Sequence, residues 1–131
     1  MLLRLAIHGC IPAANIPSLT TAVMQRESLG STGIGKGIAM PHTKHASLER
    51  KIIGAFMFRP AVPFDCVDGE LADIFLIFLT MKQEHPEPAV RKFIPELHRQ
   101  LRSDEFCEQL RCCETGEEMR QLLGRIEAQK E

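Results

Sequence analysis

The residues with the most chemical content run from Arg26 to His45, RESLGSTGIGKGIAMPHTKH. Four of the eight residues from Gly30 to Gly37 are glycine, so this stretch cannot be a stable helix and reads as a shaped loop. A backbone of that kind exposes several N–H groups, that of Gly33 among them. With the hydroxyls of Ser31 and Thr32 and the guanidinium of Arg26, they would converge on one small anion. His42 follows Pro41 at the end of the strand that the loop feeds. Held on a fixed backbone there, its imidazole presents one ring nitrogen outward, as a nucleophile near neutral pH must. The plainer alternative is that His42 ends a strand and the glycines only make a turn.

The same loop argues against a nucleotide. Gly30, Gly35 and Lys36 fit part of a P-loop, but Gly37 stands where the magnesium-binding Ser or Thr belongs. The loop also runs from helix to strand, the reverse of the order that aims a helix N-terminus at phosphate. Gly33, Gly35 and Gly37 are spaced GxGxG rather than GxGxxG, so a dinucleotide fingerprint is absent too. Cys10, Cys66 and Cys107 show no ligand spacing, and no metal or other cofactor is expected.

These residues need elements to hold them. Leu2, Leu3, Leu5 and Ala6 form the apolar face of a short helix ended by Gly9. A second helix starts near Pro17, repeats Leu19, Val23 and Met24 at helical spacing, and stops before Gly30, which puts Arg26 in its last turn. Three strands are predicted, over 38–40, 52–58 and 72–79, the last with the near-continuous apolar reading of a strand covered on both faces. The segment from Pro60 to Gly69 carries turn chemistry. Beyond Glu84 the apolar period becomes helical, starting near Pro86 to Pro88, with Pro95 expected to kink the first helix and Ser103 to cap the next. The expected class is α/β: a single domain spanning residues 1–131, with a mixed central sheet flanked by helices on both sides.

Composition narrows the function. The 131 residues are 44% hydrophobic and 25% charged, which is globular and excludes intrinsic disorder. Sixteen basic against seventeen acidic residues give a net charge of -1 with no basic stripe, and seven Phe without Trp or Tyr offer few stacking rings, so nucleic acid is not an expected partner. The longest apolar run, Ala72 to Met81, is interrupted by Asp73 and is shorter than the roughly 20 residues of a membrane span. The N-terminus lacks a signal-peptide pattern and five Cys suggest no disulfide framework, so a reducing cytoplasm is the expected compartment.

Arg26-Glu27, then Gly30-Ser31-Thr32-Gly33-Ile34-Gly35, then Gly37-Ile38-Ala39-Met40-Pro41-His42 closely resemble the signature of enzyme IIA domains of the bacterial phosphotransferase system, in the fructose, mannitol and nitrogen-regulatory class. The resemblance extends through Ile53 to Phe58, the segment from Pro63 to Asp68, Leu71 to Leu79 and the closing SDEFCEQL, with the nitrogen-regulatory branch most similar around Phe64, Asp65 and Asp68. It implies that the phosphocarrier HPr phosphorylates His42, that Arg26 binds the phosphoryl group, and that a IIB component receives it or it serves as a regulatory mark. The competing expectation is a sensor of the same fold that does not take phosphate and docks onto a regulated kinase or transporter.

Two departures from the family pattern bear on this. The chain starts almost at the first family helix, so the family's N-terminal edge strand is missing. Self-association as a homodimer through the open edge, or a longer natural N-terminus, is the expectation. The family also has a second histidine near the helix after the Leu71 to Leu79 strand. Aligning the helix puts Val90 there, and aligning the preceding loop puts His85 there, the preferred choice. His45, His8 and His98 read as surface or boundary residues, and Lys36 as a solvated charge.

Overall fold

The computed structural model describes residues 1–64, 68–82 and 88–128. The chain divides into two compact units, Met1–Gln83 and Glu84–Glu131. The first opens with helix α1 (Leu2–Ile7), a 3-10 turn at Ala13–Asn15 and helix α2 (Ile16–Ser28). Pro17 lies in the first turn of α2, where no intrahelical donor is lost. Five strands follow: β1 (Gly33–Gly35), β2 (Ile38–Ala39), β3 (His42–His45), β4 (Ile52–Val62) and β5 (Ala72–Met81). The α/β class with a mixed sheet is as expected from the sequence.

β5 organises that sheet. β4 pairs with it antiparallel from Ile52 opposite Leu79 to Val62 opposite Ala72, while β2 and β3 both run parallel to it. Ile38 faces Ile74 and His42 faces Phe78, so the register is the same on either side of Met40-Pro41. β2 and β3 are therefore one strand interrupted where Pro41 cannot donate to a ladder. The sheet takes hold again through Pro41 itself, whose carbonyl accepts the Phe78 N–H at 2.9 Å.

Two strand segments lie outside the sequence expectation. β1 falls within the predicted glycine loop, where it pairs antiparallel with β2. β3 extends beyond the expected stop at Pro41 and His42; its four residues, HTKH, alternate exposed and half-buried, so an apolar run could not reveal it. β4 also runs past Phe58 to Val62, with its register slipping between Met57 and Val62 around Pro60.

The core of this unit follows the strand period. Ile77 and Leu79 of β5 and Ile52 of β4 join Leu5 of α1, Leu19 of α2, Ile11 and Leu48 in one buried cluster. Further along the same side of β5, Phe75 meets Phe58 and Phe64 edge to face, with ring centroids 5.1 and 4.9 Å away. Gly54 in β4 makes room for the neighbouring side chains of the first cluster, because a Cβ there would stand 2.8 Å from the Phe56 ring and 2.9 Å from Ile77. The result is a rigid slab under the segment that carries His42.

The second unit contains α3 (Pro88–Leu101), α4 (Asp104–Cys112) and α5 (Gly116–Ala128). Pro95 lies within α3, which continues through it to Leu101. Phe93, Leu97 and Leu101, then Phe106 and Leu110, then Met119, Leu123 and Ile126 are buried at helical spacing. Ser103 caps α4 as expected, its hydroxyl accepting the Phe106 N–H at 3.3 Å. No helix among the described residues is long and apolar enough to cross a membrane.

Candidate functional site

His42 is the first residue of β3, and its side chain is exposed. Nδ1 lies 3.0 Å from the Met40 carbonyl oxygen. A carbonyl only accepts, so this contact assigns a proton to Nδ1, and in the neutral ring the Nε2 lone pair is then the one left open. His45, three residues on, has the opposite arrangement. Its Nδ1 accepts the Ser47 N–H at 3.1 Å and lies 2.7 Å from the Ser47 hydroxyl, so its Nδ1 lone pair is committed within its own turn. Of these two imidazoles on one strand, only His42 is oriented by the backbone with its distal nitrogen unprotonated.

The end of α2 builds the ground next to it. α2 packs alongside β3, and Arg26 in its last turn donates from one guanidinium nitrogen to the Gly30 carbonyl at 3.0 Å. That bond uses one of the five guanidinium donors. Glu27 turns the other way: its carboxylate accepts the Thr32 N–H at 3.0 Å and the Thr32 hydroxyl at 2.6 Å. Thr32 is polar and buried, so a charged acceptor satisfies donors that would otherwise be costly to bury. The Thr32 carbonyl then accepts the Met40 N–H at 2.9 Å, and the Met40 carbonyl accepts from His42. A continuous hydrogen-bonded path therefore runs from the end of a helix to the imidazole.

The far end of the glycine segment is a tight hairpin. Gly35 pairs with Ile38 around a two-residue tip, Lys36-Gly37, with φ of 56° and 77°, the signs of a type I′ turn. Glycine accepts such angles freely, but a left-handed lysine costs roughly 1–2 kcal/mol. Two anchors hold the tip. The Gly37 carbonyl accepts the N–H groups of Asp73 and Ile74 at 2.8 and 3.0 Å, and the Lys36 N–H donates to Asp68 Oδ2 at 2.9 Å. Asp68 Oδ1 also takes the Glu70 N–H at 3.1 Å. These backbone donors, Lys36 first, hold the exposed Asp68 carboxyl below the usual aspartate range. The anchor is thus fully ionised at neutral pH and weakens only as pH falls through that lowered value.

The family model described as phosphoenolpyruvate-dependent sugar phosphotransferase system, EIIA 2, matches residues 5–125. The chain belongs to that family. Among relatives, this EIIA 2 chain is 29% identical over 106 residues to the nitrogen regulatory protein of Escherichia coli K12, an alignment covering 78% of this chain and 62% of that protein. The chain thus spans less than two-thirds of that relative's length. The crystal structure of nitrogen regulatory protein IIA-Ntr from Neisseria meningitidis superposes with a TM-score of 0.73 at 27% identity, covering 82% of this chain and 72% of the other. The IIA-mannitol of E. coli, solved in complex with phosphorylated IIB-mannitol, gives a TM-score of 0.66 at 20% identity over 92% of this chain and 80% of the other, a likeness of fold.

In this EIIA 2 chain, Arg26 lies in the last turn of α2, Ser31 and Thr32 between α2 and β1, Gly33 at the start of β1 and His42 at the start of β3, all within the first unit. Their donors are shared out in a way the sequence did not display. Both Thr32 donors go to Glu27, and the Gly33 N–H goes to the Ser31 oxygen at 3.0 Å, so these donors are spent within the loop. Glu27 was visible in the Arg-Glu pair but had no assigned task, and Asp68 was read as turn chemistry. His85 lies outside the described residues, and of Val90 only its place in α3 is described. His8 and His98 are exposed. Among the described residues no group of three or more His, Cys, Asp or Glu is placed to hold a metal.

Proposed function

We propose that this EIIA domain is a phosphohistidine carrier in which His42 accepts a phosphoryl group from phospho-HPr. The observation that carries the reading is the bond from Nδ1 to the Met40 carbonyl, which leaves Nε2 as the nucleophile of an exposed imidazole. In the transfer, the Nε2 lone pair attacks phosphorus in line. The P–N bond of the donor's phosphohistidine breaks, and its electron pair stays on the donor imidazole. Positive charge builds on the His42 ring, and the Met40 carbonyl meets it at Nδ1–H without a proton having to move. Arg26 and the Ser31 hydroxyl supply donors to the equatorial oxygens, while Thr32 and Gly33 fix the shape of the loop that presents them.

The phosphoryl group then passes to a IIB component or stays as a regulatory mark. The IIB route is supported by the IIA-mannitol relative solved with phosphorylated IIB-mannitol, and the regulatory route by the nitrogen regulatory relatives. The reading places the domain in the cytoplasm, where HPr works. Its test is incubation with enzyme I, HPr and phosphoenolpyruvate, followed by intact mass and peptide mapping. One acid-labile, base-stable phosphoryl group on His42 is expected. An unmodified chain under conditions that label a control IIA domain would favour a docking module without phosphotransfer.

Arg26→Ala should slow this transfer far more than it destabilises the fold, because a charge-assisted hydrogen bond to the moving phosphoryl contributes about 1.5–3 kcal/mol. The bond to Gly30 lost from the folded state is an exposed one. Lysine should rescue poorly, lacking the planar fork. Single-turnover labelling compared with urea unfolding separates the two effects, and an unfolded Arg26→Ala variant would make Arg26 a structural residue.

A further inference from the structure

The hairpin tip poses a question that the phosphocarrier reading leaves open. A type I′ turn is ordinarily built from Asn, Asp or Gly, yet its first position here is Lys36 with φ 56°. The tip belongs to the same hairpin as His42's support. Gly33 pairs with Ala39, the Thr32 carbonyl holds the Met40 N–H, and the Met40 carbonyl holds His42 Nδ1. A relaxed tip would let β1 slide against β2, where the register is already irregular between Gly33 and Gly35. Any such slide moves the carbonyl that sets the imidazole.

We infer that Asp68 is a positioning residue for His42, acting through the Lys36 backbone: by accepting the Lys36 N–H it keeps the strained tip closed, and so keeps the Met40 carbonyl where it selects the Nδ1–H tautomer. Asp68 lies 32 residues along the chain from Lys36, and its second oxygen is fixed by the Glu70 N–H, so the carboxylate is itself oriented on both sides. The role touches neither phosphate nor donor protein. A carboxylate that is ionised throughout the neutral range can act as such a fixed acceptor at any working pH.

This inference rests on His42 being the acceptor, and the experiment separates the two claims by reading the ring directly. In 15N-histidine-labelled protein, Asp68→Ala should shift the His42 ring nitrogens away from the Nδ1–H tautomer, leave His45 unchanged, and slow phosphoryl acceptance about tenfold, the scale expected of a misplaced reacting group. Adding Lys36→Gly to Asp68→Ala should restore both, because glycine adopts the left-handed angle without help. Adding Lys36→Ala, which removes the same side-chain charge but keeps the strain, should restore neither. Should Asp68→Ala fail to fold, Asp68→Asn, which keeps one acceptor oxygen, should show smaller changes of the same kind, again relieved by Lys36→Gly. Unchanged His42 signals in these variants, or a loss that Lys36→Gly does not relieve, would overturn the role. A wild-type chain that takes no phosphate but whose His42 tautomer responds as described would keep the positioning role and discard the carrier reading.

Discussion

His42→Ala should take up no phosphoryl group from phospho-HPr, while His45→Ala should be labelled to the wild-type extent. The two histidines share a strand and differ in what their Nδ1 atoms do. His42 donates its Nδ1–H to a carbonyl, so the neutral ring has its lone pair on Nε2, whereas His45 spends its Nδ1 lone pair on the Ser47 N–H. Loss of the exposed His42 ring should cost no more than about 0.5 kcal/mol, the usual scale of surface substitutions. Unfolding curves of wild type and His42→Ala should therefore nearly superpose while labelling differs completely. Residual stoichiometric label in His42→Ala would move the acceptor elsewhere in the chain.

Glu27→Ala should give the largest stability loss at the site. Thr32 is 5% exposed, and removing the carboxylate strands two of its donors at once. Each buried donor left unpaired costs about 1–3 kcal/mol, so a total of about 2–6 kcal/mol is expected, against about 5–15 kcal/mol for a whole domain. Glu27→Gln keeps an acceptor oxygen and should lose less. Adding Thr32→Val to Glu27→Ala removes the stranded hydroxyl, so the pair should be less than additive. Urea midpoints of wild type, Glu27→Ala, Glu27→Gln, Thr32→Val and the double variant check this, and strictly additive losses would mean that Glu27 supports the fold through some contact other than Thr32.

How much of this could be read beforehand depends on which forces act locally. β5 was legible because Ile74 to Leu79 is buried without interruption and its apolar run records that directly. The end of α2 was legible from Gly30, and the α4 cap from Ser103, since both are signals confined to a few residues. The segment from Gly33 to Gly35 has almost no side chains with which to announce a strand. Its pairing with β2 is imposed by the tip at Lys36-Gly37 and by a carboxylate far along the chain. β3 is a polar strand whose order comes from β5 beneath it rather than from its own residues.

The site residues divide along the same line. Arg26, Ser31 and His42 were proposed from residue type and spacing, because an anion and a nucleophile each require specific side chains. That Thr32 and Gly33 spend their donors inside the loop could not, since a hydroxyl or an amide reads the same whether it faces a ligand or a neighbouring carboxylate. Glu27 and Asp68 were hidden for the converse reason: an acidic residue beside an expected anion site invites no role until its partners are seen.

The in-register break at Met40-Pro41 also sets how the molecule can yield. Since the Pro41 carbonyl is bonded to Phe78 and His42 is paired with it, the backbone of His42 is tied to the central strand, whose amides are freed only in the costliest openings. The Lys36-Gly37 tip is tied to that strand as well, through the carbonyl of the buried Gly37 and the Asp73 and Ile74 amides, while its bond from Lys36 to Asp68 is exposed. Anchorage and orientation are thus linked through one small sheet: the tip closes onto the same strand that ties down the backbone of His42, so a disturbance there is felt at the imidazole rather than absorbed before it.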